Sequence, residues 1–349
     1  MDIKLFDYSL PPELIAQHPV RDRDQSRLMV LDRNSGEVRA RSFTDILEYI
    51  NPGDLLVVNN TRVFKARLLG NRATGAEVEV FLVRKTDSNP LVWEAMVRPS
   101  RRVKEGEEIF FHKACHNERL SLTLRENRGS KWLVEFGSVL SEERIIDRYG
   151  HVPLPQYIKR PDVPEDVDRY QTIFARAEKT GAVAAPTAGF HFTPTILGRL
   201  KDKNVKIVEL TLHVGPGTFK PVQVDDIDEH TVDPEFAELS QQAADAINDV
   251  RGRGGSIFVV GTTSVRTLES APEENGKILP FSGEVDLYIR PGHKFRFVDH
   301  LLTNFHLPKS SLLILVSAYA GRELILGAYR QAIESKFRFY SYGDAMLIL

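Results

Sequence analysis

At 349 residues, with 42% hydrophobic and 27% charged residues, the chain has the composition of a globular protein and enough length for two domains and a sizeable core. Its net charge of -2 advertises no polyanion partner, so a nucleic-acid binder here has to concentrate its cations locally. Cys115 is the only cysteine, which excludes an internal disulfide and a thiolate zinc site and suits a reducing, cytoplasmic setting.

The first residues, Met1-Asp2-Ile3-Lys4, carry acid early and open no long apolar run, so no secretory signal is expected. Residues 11–16 predict a short helix with proline in its first turn. Ser42, three residues before Asp45, predicts a capped helix start that runs to about Ile50. Asn51-Pro52-Gly53-Asp54 breaks that helix, and the continuous apolar run 55–58 predicts a strand buried on both faces.

The pattern changes at about Gly70. Five strand-like runs follow, at 77–83, 91–97, 108–112, 120–124 and 131–136, with turn residues at 87–90, 104–106 and 127–129 between them. Such spacing predicts a small antiparallel barrel or sandwich, inserted between α/β segments. From about His151 strands and helices alternate: a strand at 205–212, a helix at 239–250 closed by Gly252 and Gly254-Gly255, and a strand at 257–261 entering a helix at 263–270. Helices at 310–320 and 323–335 and a strand at 345–349 complete an α/β layer architecture. The apolar window 312–320 is too short to span a bilayer and reads as a buried helix.

The unusual residues gather where α/β folds build their sites, at strand ends and in loops. They are 185–193 (APTAGFHFT), 211–219 (TLHVGPGTF), 261–267 (GTTSVRT) and 303–308 (TNFHLP). His191, His213 and His306 each fall in one of these, beside hydroxyls or an amide. Imidazole exchanges protons near neutral pH, which suits general acid-base work. Singly, each is more readily a structural hydrogen-bonding residue; three in one class of location favour chemistry. Their spacings match no local zinc motif, so no metal is expected.

Gly215-Pro216-Gly217-Thr218 has the look of a phosphate loop, but Lys220-Pro221-Val222 follows it, and a tight turn is the stronger reading. Gly261-Thr262-Thr263-Ser264 does run from strand into helix, where free N–H groups and Arg266 suit a carboxylate or phosphate; a plain helix cap is equally open. The basic run Arg98-Pro99-Ser100-Arg101-Arg102-Val103-Lys104, and Tyr157, Lys159 and Arg160 with the aromatic strip 337–340, set cations beside rings, as for RNA contact or for ordinary packing.

These segments, with 54–70 (DLLVVNNTRVFKARLLG), 169–172 (RYQT), 182–193 (AVAAPTAGFHFT), 261–269 (GTTSVRTLE) and 339–345 (FYSYGDA), resemble nearly end to end the S-adenosylmethionine:tRNA ribosyltransferase-isomerase family of queuosine biosynthesis. The resemblance implies an enzyme that transfers and isomerises the ribosyl moiety of S-adenosylmethionine onto 7-aminomethyl-7-deazaguanine in tRNA. The product is epoxyqueuosine-tRNA, and adenine and methionine are released. It also implies a discontinuous three-layer α/β domain at 1–68 and 151–349 with a small antiparallel β-barrel inserted at 69–150. S-adenosylmethionine is consumed as a co-substrate, no cofactor or metal is needed, and a cytoplasmic monomer away from membranes is expected. Two rivals remain: an S-adenosylmethionine methyltransferase, disfavoured by the missing glycine-rich first turn, and a non-catalytic RNA-binding module.

Carried onto this chain, the resemblance makes His191, His213, His306 and Asp344 the catalytic candidates, with His191 and His213 ranked first. Asn60, Arg62, Thr187, Gly189, Gly215, Gly217, Thr218, Thr262, Thr263, Ser264, Arg266, Asn304, Tyr340 and Tyr342 are expected at the substrate, with Asp344 and the two tyrosines facing the sulfonium. Arg98, Arg101, Arg102, Lys159 and Arg160 are expected at the tRNA. His191, His213, His306, Arg266 and Asp344 should converge on one pocket. One departure stands out: after Glu229-His230, Val232 and Asp233 replace the family's methionine and second histidine, while Glu235 is kept.

Overall fold

The computed structural model describes residues 1–86, 91–112, 120–219 and 221–349; Cys115, the expected turn at 87–90 and Lys220 lie outside the described residues. Two compact units emerge: residues 1–62, 155–160 and 169–349 form one, and residues 63–154 with 161–168 form the other.

The larger unit is built on a nine-stranded sheet. Its order is Phe281–Val285, Glu235–Leu239, Lys206–Leu212, Leu55–Asn59, Ile257–Val260, His300–Asn304, Ala345–Ile348, Arg27–Leu31 and Val38–Ser42. The central strands Lys206–Leu212, Leu55–Asn59, Ile257–Val260 and His300–Asn304 are parallel neighbours. Ala345–Ile348 runs antiparallel to His300–Asn304 and parallel to Arg27–Leu31.

Every residue of Leu55–Asn59 and Ile257–Val260 is buried, as a parallel strand covered on both faces requires. Successive side chains alternate between two cores. Leu55, Val57, Val259 and Leu301 face the layer that contains Ile247, Leu268, Leu313 and Tyr329. Leu56, Val58, Phe258 and Leu302 face Phe43, Ile46, Phe192 and Ile196. Helical layers on both faces of one sheet make this an α/β fold.

Several local readings shift. The Ser42 backbone N–H donates to Asp45 at 3.2 Å, as the cap pattern requires, but the helix that follows is a 3-10 helix, Phe43–Glu48. Leu239, read as the first residue of a helix, instead ends a strand; the helix is Gln241–Gly252, because the Ser240 hydroxyl accepts the Ala243 N–H at 3.2 Å and caps it there. The helix Pro194–Asp202 and the strands Arg27–Leu31, Val38–Ser42, Glu235–Leu239, Phe281–Val285 and His300–Asn304 were not anticipated. Among the described residues no single helix is long and apolar enough to cross a membrane; Ser311–Ala320 and Arg322–Glu334 reach that length only as a pair bent by 113°.

The smaller unit is a closed barrel. Arg67–Arg72, Glu77–Lys85, Val92–Arg98, Lys131–Gly137, Leu120–Arg128 and Glu108–Phe111 follow one another around it, and Asn71 and Arg72 pair with Phe110 and Ile109 to close it. Inward positions alternate with outward ones, so Val78, Val80 and Leu82 or Trp132, Val134 and Phe136 are buried in turn. Arg67–Arg72, the sixth strand, is the one not foreseen. Gly70 reads as a break in the sequence, yet it sits inside that strand: a Cβ there would lie 2.6 Å from the Phe111 ring and 2.8 Å from the Phe110 carbonyl, so only glycine allows the closure. The helix Glu142–Tyr149 follows the barrel strands.

Candidate active site

The parallel strands end at one edge of the large sheet, and the loops leaving them line a cleft there. Five segments far apart in sequence supply its walls: Ala185 to Ala188, Val214 and Thr218, Gly261 to Thr263, Thr303 to Leu307, and Tyr340 with Ser341. Of the expected substrate residues, Thr187, Thr218, Thr262, Thr263, Asn304 and Tyr340 line it. Gly261 caps the helix Thr262–Ser270 at φ 85°, a conformation glycine adopts without strain, and so turns the helix N-terminus into the cleft. Tyr340 also has a positive φ, 71°, held by its N–H to Phe305 O at 3.3 Å and by the Gly343 N–H to its own carbonyl at 3.0 Å.

His306 is the histidine that faces the cleft. Its Nε2 is 2.8 Å from the Thr303 hydroxyl, its N–H donates to the Tyr329 hydroxyl at 3.0 Å, and its carbonyl accepts the Tyr8 hydroxyl. Nδ1 makes no hydrogen bond among the described residues. Burial pushes this imidazole down to about 3, so it is neutral at pH 7.

His191 stands one residue behind the wall. The Ser26 hydroxyl donates to Arg23 O at 3.2 Å and lies 2.7 Å from His191 Nδ1, so Nδ1 carries the ring proton and Nε2 is bare. Asn304 Nδ2 donates to that Nε2 at 3.2 Å, and Asn304 Oδ1 accepts the Thr187 hydroxyl at 2.8 Å. Donation runs one way, from the Thr187 hydroxyl on the cleft wall through Asn304 and His191 to the buried Ser26. Burial holds His191 at about 3 as well, with Arg23 and Arg338 adding to the effect.

The remaining candidates do not converge as expected. His213 is off the cleft: Nδ1 is 2.7 Å from the Thr61 hydroxyl and the ring stacks on Phe236 at 5.6 Å. Burial, then Lys179, lowers its pKa. Asp344 spends both oxygens on backbone, accepting Arg27 N–H at 3.0 Å and Arg338 N–H at 2.8 Å, and burial raises its pKa. Its carboxylate therefore fixes the 338–344 turn instead of facing a ligand. Arg266 pairs with Glu235, both buried, and donates to Leu287 O at 3.1 Å. Glu235 accepts the Gly215 N–H and the Thr218 hydroxyl, each at 2.7 Å, so this ion pair anchors the loop that brings Thr218 to the cleft.

Ser264 is turned into its own helix, donating to Val260 O at 2.7 Å. Asn60 is tied to Thr211 at 2.8 Å, and Arg62 is half-buried off the cleft. Gly189 and Gly217 leave needed room, since a Cβ would press on Thr172 at the first and on Asp233 at the second, whereas at Gly215 it would meet Glu235 at an ordinary contact distance of 3.5 Å. Tyr342 stacks on Phe190 at 5.8 Å in an adjoining recess. Arg98, Arg101, Arg102 and Lys159 are exposed, while Arg160 Nε donates to Gln17 O at 3.0 Å. Among the described residues no group of three His, Cys, Asp or Glu side chains is placed to hold a metal ion. Ser26, Thr303 and Glu235 were not read as site residues. Their signal is the partner each one meets, and that partner is set by the fold.

A profile of the queuosine biosynthesis protein family matches residues 3–348. The chain belongs to this family. A protein of Pelobacter propionicus named S-adenosylmethionine:tRNA ribosyltransferase-isomerase is 47% identical over 348 residues, covering 100% of each chain. One of the same name from Pelotomaculum thermopropionicum is 46% identical over 350 residues, again covering 100% of each. The crystal structure of S-adenosylmethionine tRNA ribosyltransferase from Thermotoga maritima is similar at 36% identity and a TM-score of 0.55, covering 99% of this chain and 100% of that one. Five of the segments that carry the resemblance line the cleft; 54–70 and 169–172 do not.

Proposed function

We propose that the chain is an S-adenosylmethionine:tRNA ribosyltransferase-isomerase of queuosine biosynthesis. It moves the ribosyl carbons of S-adenosylmethionine onto the aminomethyl group of 7-aminomethyl-7-deazaguanine in tRNA and releases adenine and methionine. In this reading S-adenosylmethionine is consumed, no further cofactor or metal is used, and the protein acts as a cytoplasmic monomer. The observation that carries the reading is the meeting of five distant family segments around one cleft.

The reaction needs a base for a C–H beside the sulfonium, a proton for departing adenine and a neutral attacking amine. His306 is the group we assign to proton transfer: neutral, on the cleft, with Nδ1 available and Nε2 steadied by a hydroxyl that can donate or accept. Burial keeps it uncharged but weakly basic, so the acidity of the sulfonium C–H has to help drive the transfer. The sulfonium faces the Tyr157 and Tyr340 rings, 4.8 Å apart at the cleft wall. His191, through Asn304, and Glu235, through Thr218, are positioning residues. Arg98, Arg101 and Arg102, on the barrel unit, contribute phosphate contacts to the tRNA.

The test is to incubate the purified chain with S-adenosylmethionine and tRNA bearing 7-aminomethyl-7-deazaguanine. Adenine and methionine should appear together, with a matching mass gain on the tRNA. S-adenosylhomocysteine in their place would make the chain a methyltransferase, and tRNA binding without turnover would leave only an RNA-binding module.

A further inference from the structure

Residues 17–21 lie at the surface beside the cleft and are tied to two of its walls. Gln17 Nε2 donates at 2.9 Å to the carbonyl of Tyr157, a cleft residue, and Gln17 Oε1 accepts the Lys159 N–H at 2.6 Å. The Tyr157 hydroxyl lies 2.5 Å from that of Ser341, also a cleft residue. Arg338, just before Ser341 in the chain, reaches back to donate to His18 O.

Three guanidiniums from separate places hold the carbonyls of this segment. Arg160 Nε donates to Gln17 O at 3.0 Å, Arg338 to His18 O, and the terminal nitrogens of Arg169 to Val20 O at 2.5 Å and Arg21 O at 2.8 Å. A carbonyl orients a guanidinium without cancelling its charge, as a carboxylate would. Two more cations, Arg21 and Lys159, stand on the same segments with their side chains exposed. Among the described residues neither of these, nor Arg169, lies within ion-pair distance of a carboxylate.

The acids of the stretch are Asp22, which accepts Gln25 Nε2 at 2.8 Å, and Asp24, which accepts the Thr193 hydroxyl at 3.2 Å. Asp344, whose charge acts on Arg338, spends both oxygens on backbone N–H groups. Arg21, Lys159, Arg160, Arg169 and Arg338 outnumber these acids. In a chain of net charge -2 this is the local concentration of cations that a polyanion requires. Lys159 is held against Gln17, and Arg21 follows within about 14 Å of chain, so both can meet one short run of phosphates.

We propose that this rim seats the phosphodiester backbone of the RNA substrate. Arg21 and Lys159 are the phosphate contacts, and Arg160, Arg169 and Arg338 hold the segment that presents them. The proposal rests on the reading of the chain as a tRNA-modifying enzyme, and it gives the α/β unit an RNA contact of its own, apart from the exposed arginines of the barrel.

The experiment compares the full chain with Arg21→Ala, Lys159→Ala and the double variant. Arg21 and Lys159 bond to the fold here through main-chain atoms, so folding should hold, and thermal melting checks it. Affinity for tRNA bearing 7-aminomethyl-7-deazaguanine is measured between about 0.1 M and about 1 M salt, and affinity for S-adenosylmethionine separately. One phosphate contact steepens the slope of log affinity against log salt by about 0.7 to 0.9. Each single variant should therefore bind about fivefold to eightfold more weakly at about 0.1 M salt, with the difference closing toward about 1 M. The double variant should lose about the product of the two, and S-adenosylmethionine affinity should hold. Unchanged tRNA affinity in the double variant overturns the proposal. So does a loss of equal size at every salt concentration, which marks a contact other than phosphate, or a loss of S-adenosylmethionine affinity alone. Adenine release is read on the same samples. An unaltered chain that binds the tRNA with the expected salt slope but releases no adenine counts against the transferase reading and leaves the rim standing. Normal release together with undiminished tRNA affinity in the variants does the reverse.

Discussion

Asn304 reaches two ways: its amide nitrogen donates to His191 Nε2 at 3.2 Å and its amide oxygen accepts the Thr187 hydroxyl at 2.8 Å. The buried imidazole, together with the Asp344 carbonyl that accepts the same amide nitrogen at 3.4 Å, decides which end of the amide meets the cleft wall. Replacing His191 with alanine leaves only the longer bond to Asp344 O to hold that orientation, so binding and turnover should both fall. His191→Asn, able to present an oxygen to the same amide, should recover part of the loss. The acid side of the pH–rate profile should stay where it is, since a group held at about 3 does not titrate in the working range. A shifted acid limb in a folded variant would show that His191 itself moves the proton.

His306 should behave differently. His306→Gln keeps a polar side chain on the cleft but removes the proton acceptor, and turnover should drop by about a hundredfold to ten-thousandfold. S-adenosylmethionine binding should change far less. Measuring adenine release and ligand affinity on the same folded sample checks this, and near-normal release would move the proton transfer to another group.

Acid should weaken the fold through the same two residues. His191 and His306 are held at about 3 when folded, against 6.5 for an ordinary histidine. Between those values the unfolded chain takes up protons that the folded chain refuses, so stability present above pH 6.5 is lost as pH falls toward 3. At pH 5 the loss is about 2 kcal/mol per histidine. Asp344, whose pKa burial raises, works in the opposite sense at lower pH. Denaturant titrations at pH 7 and pH 5 should show the drop, and His306→Gln should shrink it.

Glu235→Leu leaves the Arg266 guanidinium buried without its counter-charge, and the Gly215 N–H and Thr218 hydroxyl without their acceptor, which should cost about 3 to 5 kcal/mol. The double variant with Arg266→Met should recover much of that stability. It should still bind S-adenosylmethionine poorly, because the loop bearing Thr218 has lost its anchor. Full binding by the stable double variant would separate the ion pair from the site.

The central strand was legible because 55–58 is apolar without interruption, and the cap at Ser42 because the pattern is local. The strand Glu235–Leu239 was not, because EFAEL carries two acids, and the arginine that neutralises Glu235 lies 31 residues further on. The loops of the site announced themselves by glycine, hydroxyl and histidine. Which histidine faces the cleft depended on Ser26, 165 positions from His191, and on Asn304, 113 positions away. No local pattern encodes such distances, and so the order expected from the loops, His191 and His213 before His306, is reversed in our assignment.

The last strand of the large sheet enters between one partner made near the start of the chain and one made shortly before it. Leu28 and Ala345 are register partners about 300 positions apart, and Leu301 meets Ile348 on the other side. On the ribosome, Arg27–Leu31 and its hairpin mate Val38–Ser42 wait with an open edge until almost the whole chain has been made. The barrel, whose strands pair mostly with sequence neighbours, can close much earlier. Synthesis therefore passes through a species with a finished barrel and an unfinished sheet, whose bare edge invites pairing with other chains until Ala345–Ile348 fills the gap.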